Sequence, residues 1–118
     1  MTFRRIQMCS LVLMAGLAAA ALPASAEEAD EDEQFTAALS DFGYAGGAAW
    51  QCAEGAQKND IERNAMKAFN GLVRLFGSDE AFFFASAFGG GTTDAIDKAN
   101  CASFAEHFKA GLTKAGAE

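Results

Sequence analysis

The sequence predicts an all-α fold, a small bundle of about four helices stapled by one disulfide. Apolar residues recur every three or four positions through most of the chain after residue 34, as on the buried face of a helix. No segment alternates apolar and polar residues in the manner of a half-buried strand. Two cysteines, Cys52 and Cys101, remain once a predicted signal peptide is removed, so they can pair with each other.

Residues 1–26 are predicted to be a secretory signal peptide. Two arginines open it, an apolar core covers residues 11–22, and an A-x-A cleavage site ends at Ala26. An uncleaved membrane anchor would need roughly twenty apolar residues, whereas this core has about twelve. Cys9 precedes the apolar core, so it is not placed as a lipoprotein acceptor and should leave with the peptide. We expect the mature protein to begin at Glu27 and to be periplasmic or secreted.

Removal of the signal peptide leaves an acidic chain. Seven basic residues stand against sixteen acidic ones, a net charge of −9 with His107 neutral. This charge opposes binding to nucleic acid and to anionic lipid, so neither is an expected partner. No later segment is long and apolar enough to span a bilayer, so no membrane contact is expected of the mature form.

Two regions are expected in the mature chain. Residues 27–34 are predicted to be a disordered acidic leader, because their acids repel one another and have almost nothing apolar to bury. These carboxylates could bind Ca²⁺, but the spaced loop of an EF-hand is absent, so a solvated tail is favoured. Residues 35–118 are assigned to a single helical domain.

The first predicted helix begins at Phe35 and carries Cys52 near its end. Its glycines at positions 43, 46 and 47 each cost up to about 1 kcal/mol relative to alanine. They indicate either a break near Gly46-Gly47 or, as we favour, close approach of a neighbouring helix. The apolar residues with helical spacing are Phe35, Ala38, Leu39, Phe42, Ala45, Ala49, Cys52 and Ala53.

The second predicted helix, residues 59–76, has the clearest pattern. Asn59 followed by Glu62 has the spacing of a capping box. Gly77 is placed to stop the helix in the left-handed conformation. The apolar stripe consists of Ile61, Ala65, Ala68, Phe69, Leu72, Leu75 and Phe76, and we expect a core that combines Ile61, Phe69, Leu72 and Phe76 with Phe104 and Phe108.

The third predicted helix is short, from Glu80 to about Phe88, with Ser78 as its N-cap. Three consecutive aromatic residues span about 200° of a helix, so they cannot all face one neighbour. Either this helix is enclosed nearly all round, or some of its rings form an exposed surface. We take its aromatic residues as the candidate partner-binding residues: Phe82, Phe83, Phe84 and Phe88.

Gly89-Gly90-Gly91 is expected to end the third helix as a turn. It matches neither phosphate-binding pattern, G-x-G-x-x-G after a strand or G-K-[ST]. The fourth helix is expected to start at Thr92 or Thr93 and to end near Ala115. Its inner stripe is Ile96, Cys101, Phe104, Phe108 and Leu112.

Cys52 and Cys101 are predicted to form a disulfide between the first and fourth helices, because an exported pair without other partners most simply oxidises. Closing a loop of about fifty residues would stabilise the fold by roughly 4 kcal/mol. A C-x-x-C redox motif is absent, and one histidine cannot supply a zinc constellation. We therefore expect no metal and no cofactor.

Catalytic residues are scarce, and we expect no enzyme activity. His107 is the only imidazole, and no known motif ties a serine or cysteine to it. Asp94 and Asp97 have helical spacing but are interpreted as solvated charges. Tyr44 and Trp50 could serve a carbohydrate or partner site, yet such residues are more often anchors at the edge of a core.

Trp50-Gln51-Cys52, a second cysteine at Cys101 and Ser103-Phe104 soon afterwards resemble the pattern of HdeA-type periplasmic acid-stress chaperones. The resemblance implies a small exported holdase that opens in acid and coats unfolding clients. The chain departs from that pattern in its long segment before the first cysteine, residues 35–49, and in its glycine clusters.

The expected function is non-enzymatic protein binding, with an acid-stress holdase as the form that the resemblance implies. An alternative is a periplasmic inhibitor or immunity protein that blocks a specific partner, and another is a carrier of a small apolar ligand. The sequence leaves the oligomeric state open, a homodimer included.

Overall fold

A computed structural model describes residues 30–117, and they form an all-α fold. Helix α1 is described over residues 30–52, and it is followed by α2 (Ala56–Phe76), α3 (Ser78–Thr93), a 3₁₀ turn (Lys98–Asn100) and α4 (Cys101–Lys114). No strand occurs within these described residues. The prediction of a four-helix bundle with one disulfide is confirmed. The predicted signal peptide, residues 1–26, lies outside the described part of the chain.

Residues 30–34 of the predicted acidic leader belong to helix α1, and residues 27–29 lie outside the described part of the chain. Glutamate and glutamine are good helix formers, and extending an existing helix requires no new nucleation. Charge repulsion alone is therefore not enough to unwind this segment.

The glycines of α1 allow close approach of α3, and the helix is unbroken at Gly46-Gly47. A Cβ on Gly43 would overlap the Phe84 carbonyl group, and one on Gly47 would lie 2.7 Å from the backbone nitrogen of Thr92. The favoured interpretation of these glycines is confirmed. Their absent side chains let two helix backbones touch, which partly offsets their poor helix propensity.

Helix α2 begins at Ala56, three residues before the predicted start. Gly55, at φ 54°, occupies the N-cap position, and no side chain caps the helix, so the prediction of an Asn59 cap is wrong. Glu62 does not reach back to Asn59, because its carboxylate accepts a hydrogen bond from the indole Nε1 of Trp50 at 3.0 Å.

Gly77 separates α2 from α3 with a single residue. Its φ of 99° is positive as expected, but its ψ of 171° is extended and not left-handed helical. The Gly77 N–H donates to the Val73 carbonyl at 3.0 Å and closes α2. Ser78 is then the first helical residue of α3 and not its cap, and Asp79 lies in the first turn.

Helix α3 continues through the three glycines and ends at Thr93, so the predicted turn at residues 89–91 is wrong. Gly91 packs its backbone against α1, with its would-be Cβ 2.9 Å from the Ala48 nitrogen, and this tertiary contact outweighs the low helix propensity. The Thr92 hydroxyl donates to the Gly89 carbonyl at 2.7 Å within the same helix.

Helix α4 starts at Cys101 and not at Thr92 or Thr93. The intervening chain turns through an extended Asp94 and enters the 3₁₀ turn at Asp97, whose carboxylate accepts a hydrogen bond from the Ala99 N–H at 3.0 Å. Ile96 consequently lies in this connection. Phe108 and Leu112 are buried as predicted, and Phe104 is partly buried.

The core lies between the helices and is dominated by phenylalanine and alanine. The Phe42 ring centroid lies 4.6 Å from that of Phe84 and 5.6 Å from that of Phe108. Leu72 is buried, whereas the predicted core residue Phe76 is 48% exposed. Its ring lies at the end of α2 against Phe35, at 4.8 Å, where no further helix covers it among the described residues. Ile61 and Phe69 are partly buried against the core.

Three consecutive residues at the end of α1 each bind a different helix. Trp50 hydrogen-bonds to Glu62 of α2. Gln51 Nε2 donates to the carbonyls of Gly91 at 2.6 Å and Asp94 at 2.7 Å, at the end of α3. Cys52 forms the predicted disulfide with Cys101 of α4, with 5.9 Å between the Cα atoms. The last turn of α1 is therefore linked to each of the other helices by a hydrogen bond or by the disulfide.

Candidate protein-binding surface

The aromatic cluster of α3 divides into buried and exposed rings. Phe84 is 2% exposed and belongs to the core, and Phe88 is partly buried, with its centroid 6.3 Å from that of Phe84. Phe82 is 64% exposed and Phe83 is 42% exposed. Phe84 is therefore excluded from any surface, and the candidate site is reduced to Phe82 and Phe83, with Phe88 at its inner edge.

Helical geometry explains this division. Each residue turns α3 by about 100°, so burial of Phe84 beside Ala81 turns Phe82 and Phe83 away from the core. The residues that share this direction are uncharged, and all but the two phenylalanines are small. We call them the outer face of α3, and they are Phe82, Phe83, Ser86, Gly89, Gly90 and Thr93.

The outer face carries no charge along its length. From Ala81 to Thr93 the sequence contains no Asp, Glu, Lys or Arg. A helix that is apolar on all sides is normally buried on all sides, but α3 has its outer face in solvent. A helix of this kind is typical of an interaction surface.

The far end of α3 is held in place by backbone contacts and not only by side chains. Gly47 brings α1 against it, and the Gln51 amide donates to two carbonyls at its C-terminal end. Those carbonyls would otherwise lack partners, as helix ends do. The outer face is therefore presented on a fixed helix.

An apolar groove runs beside the outer face, between α2 and α3. Its volume is about 560 Å³, and Met66, Phe69, Ala85 and Phe88 are among the residues that line it. Met66 is 68% exposed at its rim. The one charged lining residue is Glu62, which already accepts the Trp50 hydrogen bond. This groove extends the uncharged surface onto α2.

Trp50 and Tyr44 are anchors between helices. Lys58 Nζ lies 4.1 Å from the Trp50 ring centroid, a cation–π contact between α2 and α1. The Tyr44 ring packs edge-on against Phe104, with centroids 6.3 Å apart. Partial burial and the nearby Asp94 carboxylate raise the pKa of Tyr44 above its ordinary value of 10.0. The interpretation of both residues as anchors agrees with these contacts.

Packing of α1 against α4 brings Asp41, Tyr44, Ser103 and His107 around one small depression of about 220 Å³. A serine, a histidine and an aspartate are the members of a hydrolytic triad. Among the described residues, however, no hydrogen bond or ion pair joins these three side chains, and His107 is exposed. The arrangement lacks the linked geometry that nucleophile activation requires.

The acidic residues form no ligand set within residues 30–117. No group of three or more His, Cys, Asp or Glu side chains there could hold a metal ion. Asp94 and Asp97 were predicted to have helical spacing, but they lie in the connection before α4 and share no helix face. In the described region, no helix is both long and apolar enough to span a bilayer.

A second apolar groove lies where the end of α2 meets α1 and α4. Its volume is about 390 Å³, and Leu39, Phe42, Leu72 and Phe76 contribute to its lining. The half-exposed Phe76 ring leaves it open to solvent. A carrier of a small apolar ligand would be expected to enclose its cargo, and this open groove does not.

Comparison of the chain with protein-family models, with curated proteins and with solved structures gives no match.

Proposed function

We propose that this domain is an exported protein-binding module that acts through the outer face of α3 and performs no bond chemistry of its own. The observation that carries the proposal is the pairing of two exposed phenylalanine rings with a helix that has no charge from Ala81 to Thr93. The predicted signal peptide assigns the protein and its partners to the periplasm or the exterior.

The energetics favour a partner over permanent exposure. A fully buried phenylalanine side chain gains about 1.5–3 kcal/mol relative to water. Phe82 and Phe83 forgo much of this gain in the isolated domain, and a partner that covers them recovers it. Aromatic residues at the centre of an uncharged patch are frequent binding hot spots.

The fixed position of α3 lowers the cost of association. Its backbone is held by the glycine contacts of α1 and by Gln51, so binding would order few additional groups. Preorganised surfaces lose less conformational entropy on binding.

Two kinds of partner fit this surface. A holdase of the HdeA type would cover unfolded clients in acid, whereas an inhibitor or immunity protein would bind one folded partner at neutral pH. The outer face is exposed without any opening of the fold, which favours a partner that binds at neutral pH.

A capture experiment on periplasmic extract at pH 7 and at pH 3 tests the proposal. The mature chain is compared with the double variant Phe82→Ser/Phe83→Ser and with Leu75→Ser, which changes another exposed apolar residue, on α2. We expect the double variant to lose the bound proteins and Leu75→Ser to keep them. One protein retained at pH 7 identifies an inhibitor, and many retained only at pH 3 identify a holdase. Equal retention by all three chains would overturn the proposal.

A further inference from the structure

The described glycines fall into three groups, and two glycines of α3 stand apart. Three glycines adopt positive φ angles: Gly55, Gly77 and Gly116. Six lie so close to a distant part of the fold that a Cβ would collide with it: Gly43, Gly46, Gly47, Gly71, Gly91 and Gly111. Gly89 and Gly90 have negative φ angles inside a helix, and nothing lies within 4 Å of a Cβ built on either.

Gly89 and Gly90 weaken α3, and no contact with another described residue compensates for this cost. Glycine destabilises a helix interior relative to alanine, because it loses more backbone freedom on folding. At every other helical glycine of the described chain, a distant part of the fold occupies the space. The same reason at residues 89 and 90 would require a neighbour other than the described residues 30–117.

The two glycines repeat the spacing of the two exposed rings. Gly89 follows Phe82 by seven residues, and Gly90 follows Phe83 by seven. Seven residues make nearly two helical turns, so each ring and its glycine lie in one row along the outer face. Each row thus has a protruding ring at one end and an empty position at the other.

We infer that the outer face of α3 binds the same face of a second copy of this chain, with the two helices antiparallel about a two-fold axis near Ser86. In this arrangement Phe82 and Phe83 of each copy cover Gly89 and Gly90 of the other. A two-fold interface must be self-complementary, and rings placed against glycines meet that requirement. The inference rests on the proposed function, since it names one occupant of the proposed surface.

Charge restricts self-association to this face. The mature chain has a net charge of −9, so two copies repel each other across most of their surfaces. Between Ala81 and Thr93 there is no charge to repel. Asp79, one turn before Phe83, would lie opposite Thr93 and near Asp94 in the antiparallel arrangement, so acidic residues bound the uncharged face at each end.

The area of the face limits the strength of the dimer. Two helices that pair along one face bury on the order of 500 Å² per copy, below the roughly 800 Å² per partner of a standard interface. A weak dimer is therefore expected, mostly monomeric in dilute solution. At low concentrations of the chain, the outer face is therefore accessible to other proteins.

Sedimentation equilibrium of the mature chain from about 5 µM to about 1 mM tests the inference, since weak interfaces dissociate within this range. We expect a monomer–dimer equilibrium that Gly89→Leu weakens by about tenfold or more. Ala102→Leu places the same side chain at an exposed position of α4 and should leave the monomer–dimer equilibrium unchanged. The melting temperature of Gly89→Leu should not fall, which separates loss of the interface from loss of the fold.

Cross-linking tests the arrangement of the helices. A cysteine at Ser86 would lie near the two-fold axis, so Ser86→Cys should be joined to its counterpart by a short bismaleimide, whereas the exposed Arg74→Cys should not.

A chain that stays monomeric throughout, or a dimer whose dissociation constant Gly89→Leu does not change, would overturn the inference. If the chain is monomeric but loses its captured proteins in Phe82→Ser/Phe83→Ser, only the dimer is rejected. If capture is unaffected as well, both proposals fail.

Discussion

Gly47 of α1 lies directly against Gly91 of α3, so that a Cβ on Gly47 would stand 2.8 Å from the Gly91 carbonyl carbon. The Gly91 carbon belongs to the backbone of α3, and a helix backbone cannot move aside as a flexible side chain can. This contact fixes the separation of α1 and α3, and with it the direction in which the outer face of α3 points.

Gly47→Ala should therefore destabilise the domain, by about 1–3 kcal/mol, because the added methyl group forces the two helices apart. Gly89→Ala is the matched control, since its Cβ would meet nothing. This control should raise the free energy of unfolding by roughly 0.5–1 kcal/mol through helix propensity. Urea unfolding below the concentrations that favour dimer formation measures both values, and equal effects of the two variants would contradict the packing.

Replacement of Gln51 by alanine should cost about 1–3 kcal/mol of stability, because the Gly91 and Asp94 carbonyls lose their shared donor. Gln57→Ala changes the same side chain at an exposed position near the start of α2 and should have little effect. Thermal unfolding compares the two variants. Gln51→Glu should not rescue stability, since a carboxylate cannot donate to these carbonyls.

Two adjacent phenylalanines should respond in opposite ways to truncation. Phe84→Ala should lose about 3–5 kcal/mol, because it leaves a cavity in the core beside Phe42. Phe82→Ala should change the free energy of unfolding by no more than about 0.5 kcal/mol, as exposed positions do. Similar losses for both would show that Phe82 is buried and would remove the proposed surface.

Removal of the disulfide should lower stability by roughly 4 kcal/mol on the chain-entropy account. The measurement compares the oxidised chain with Cys52→Ser/Cys101→Ser in urea. A reductant should destabilise the wild type and leave the double variant unchanged. A reductant effect on the double variant would point to a cause other than this bond.

Tyr44 should make stability fall in alkaline solution. Because the folded state raises the pKa of its hydroxyl, folding favours the neutral phenol. This contribution is complete below the ordinary pKa of 10.0 and is lost as the pH rises from there through the folded pKa. Tyr44→Phe should flatten the decline that begins at about pH 10. An unchanged slope in urea titrations would contradict the assigned cause.

Periodicity and cysteine parity were sufficient to predict the helices and the disulfide, because both signals are local or pairwise. Helix boundaries were harder wherever glycine was involved. Gly91 has the sequence signature of a helix stop, but its contact with α1 keeps it inside α3. A local pattern cannot report such a tertiary contact.

The candidate site was predicted only in part for a similar reason. Helical geometry requires that Phe82, Phe83 and Phe84 diverge, but the direction of the core decides which of them is exposed. Likewise, Asp41 and His107 are far apart in sequence and meet only through the pairing of α1 with α4. The unmatched glycines at 89 and 90 could be recognised only after the other glycines had been assigned to contacts.

The links made by Trp50, Gln51 and Cys52 all lie at one end of the bundle, so the two ends differ in how strongly the helices are held together. At their end, α1 is tied to every other helix by a covalent bond or a hydrogen bond. At the opposite end, where Phe35 meets Phe76, no disulfide or side-chain hydrogen bond joins one described helix to another, and α1 is held by apolar contact. We therefore expect local opening of the native state to begin at the Phe76 end, and amide protons near Gln51 to exchange more slowly than those near Phe76.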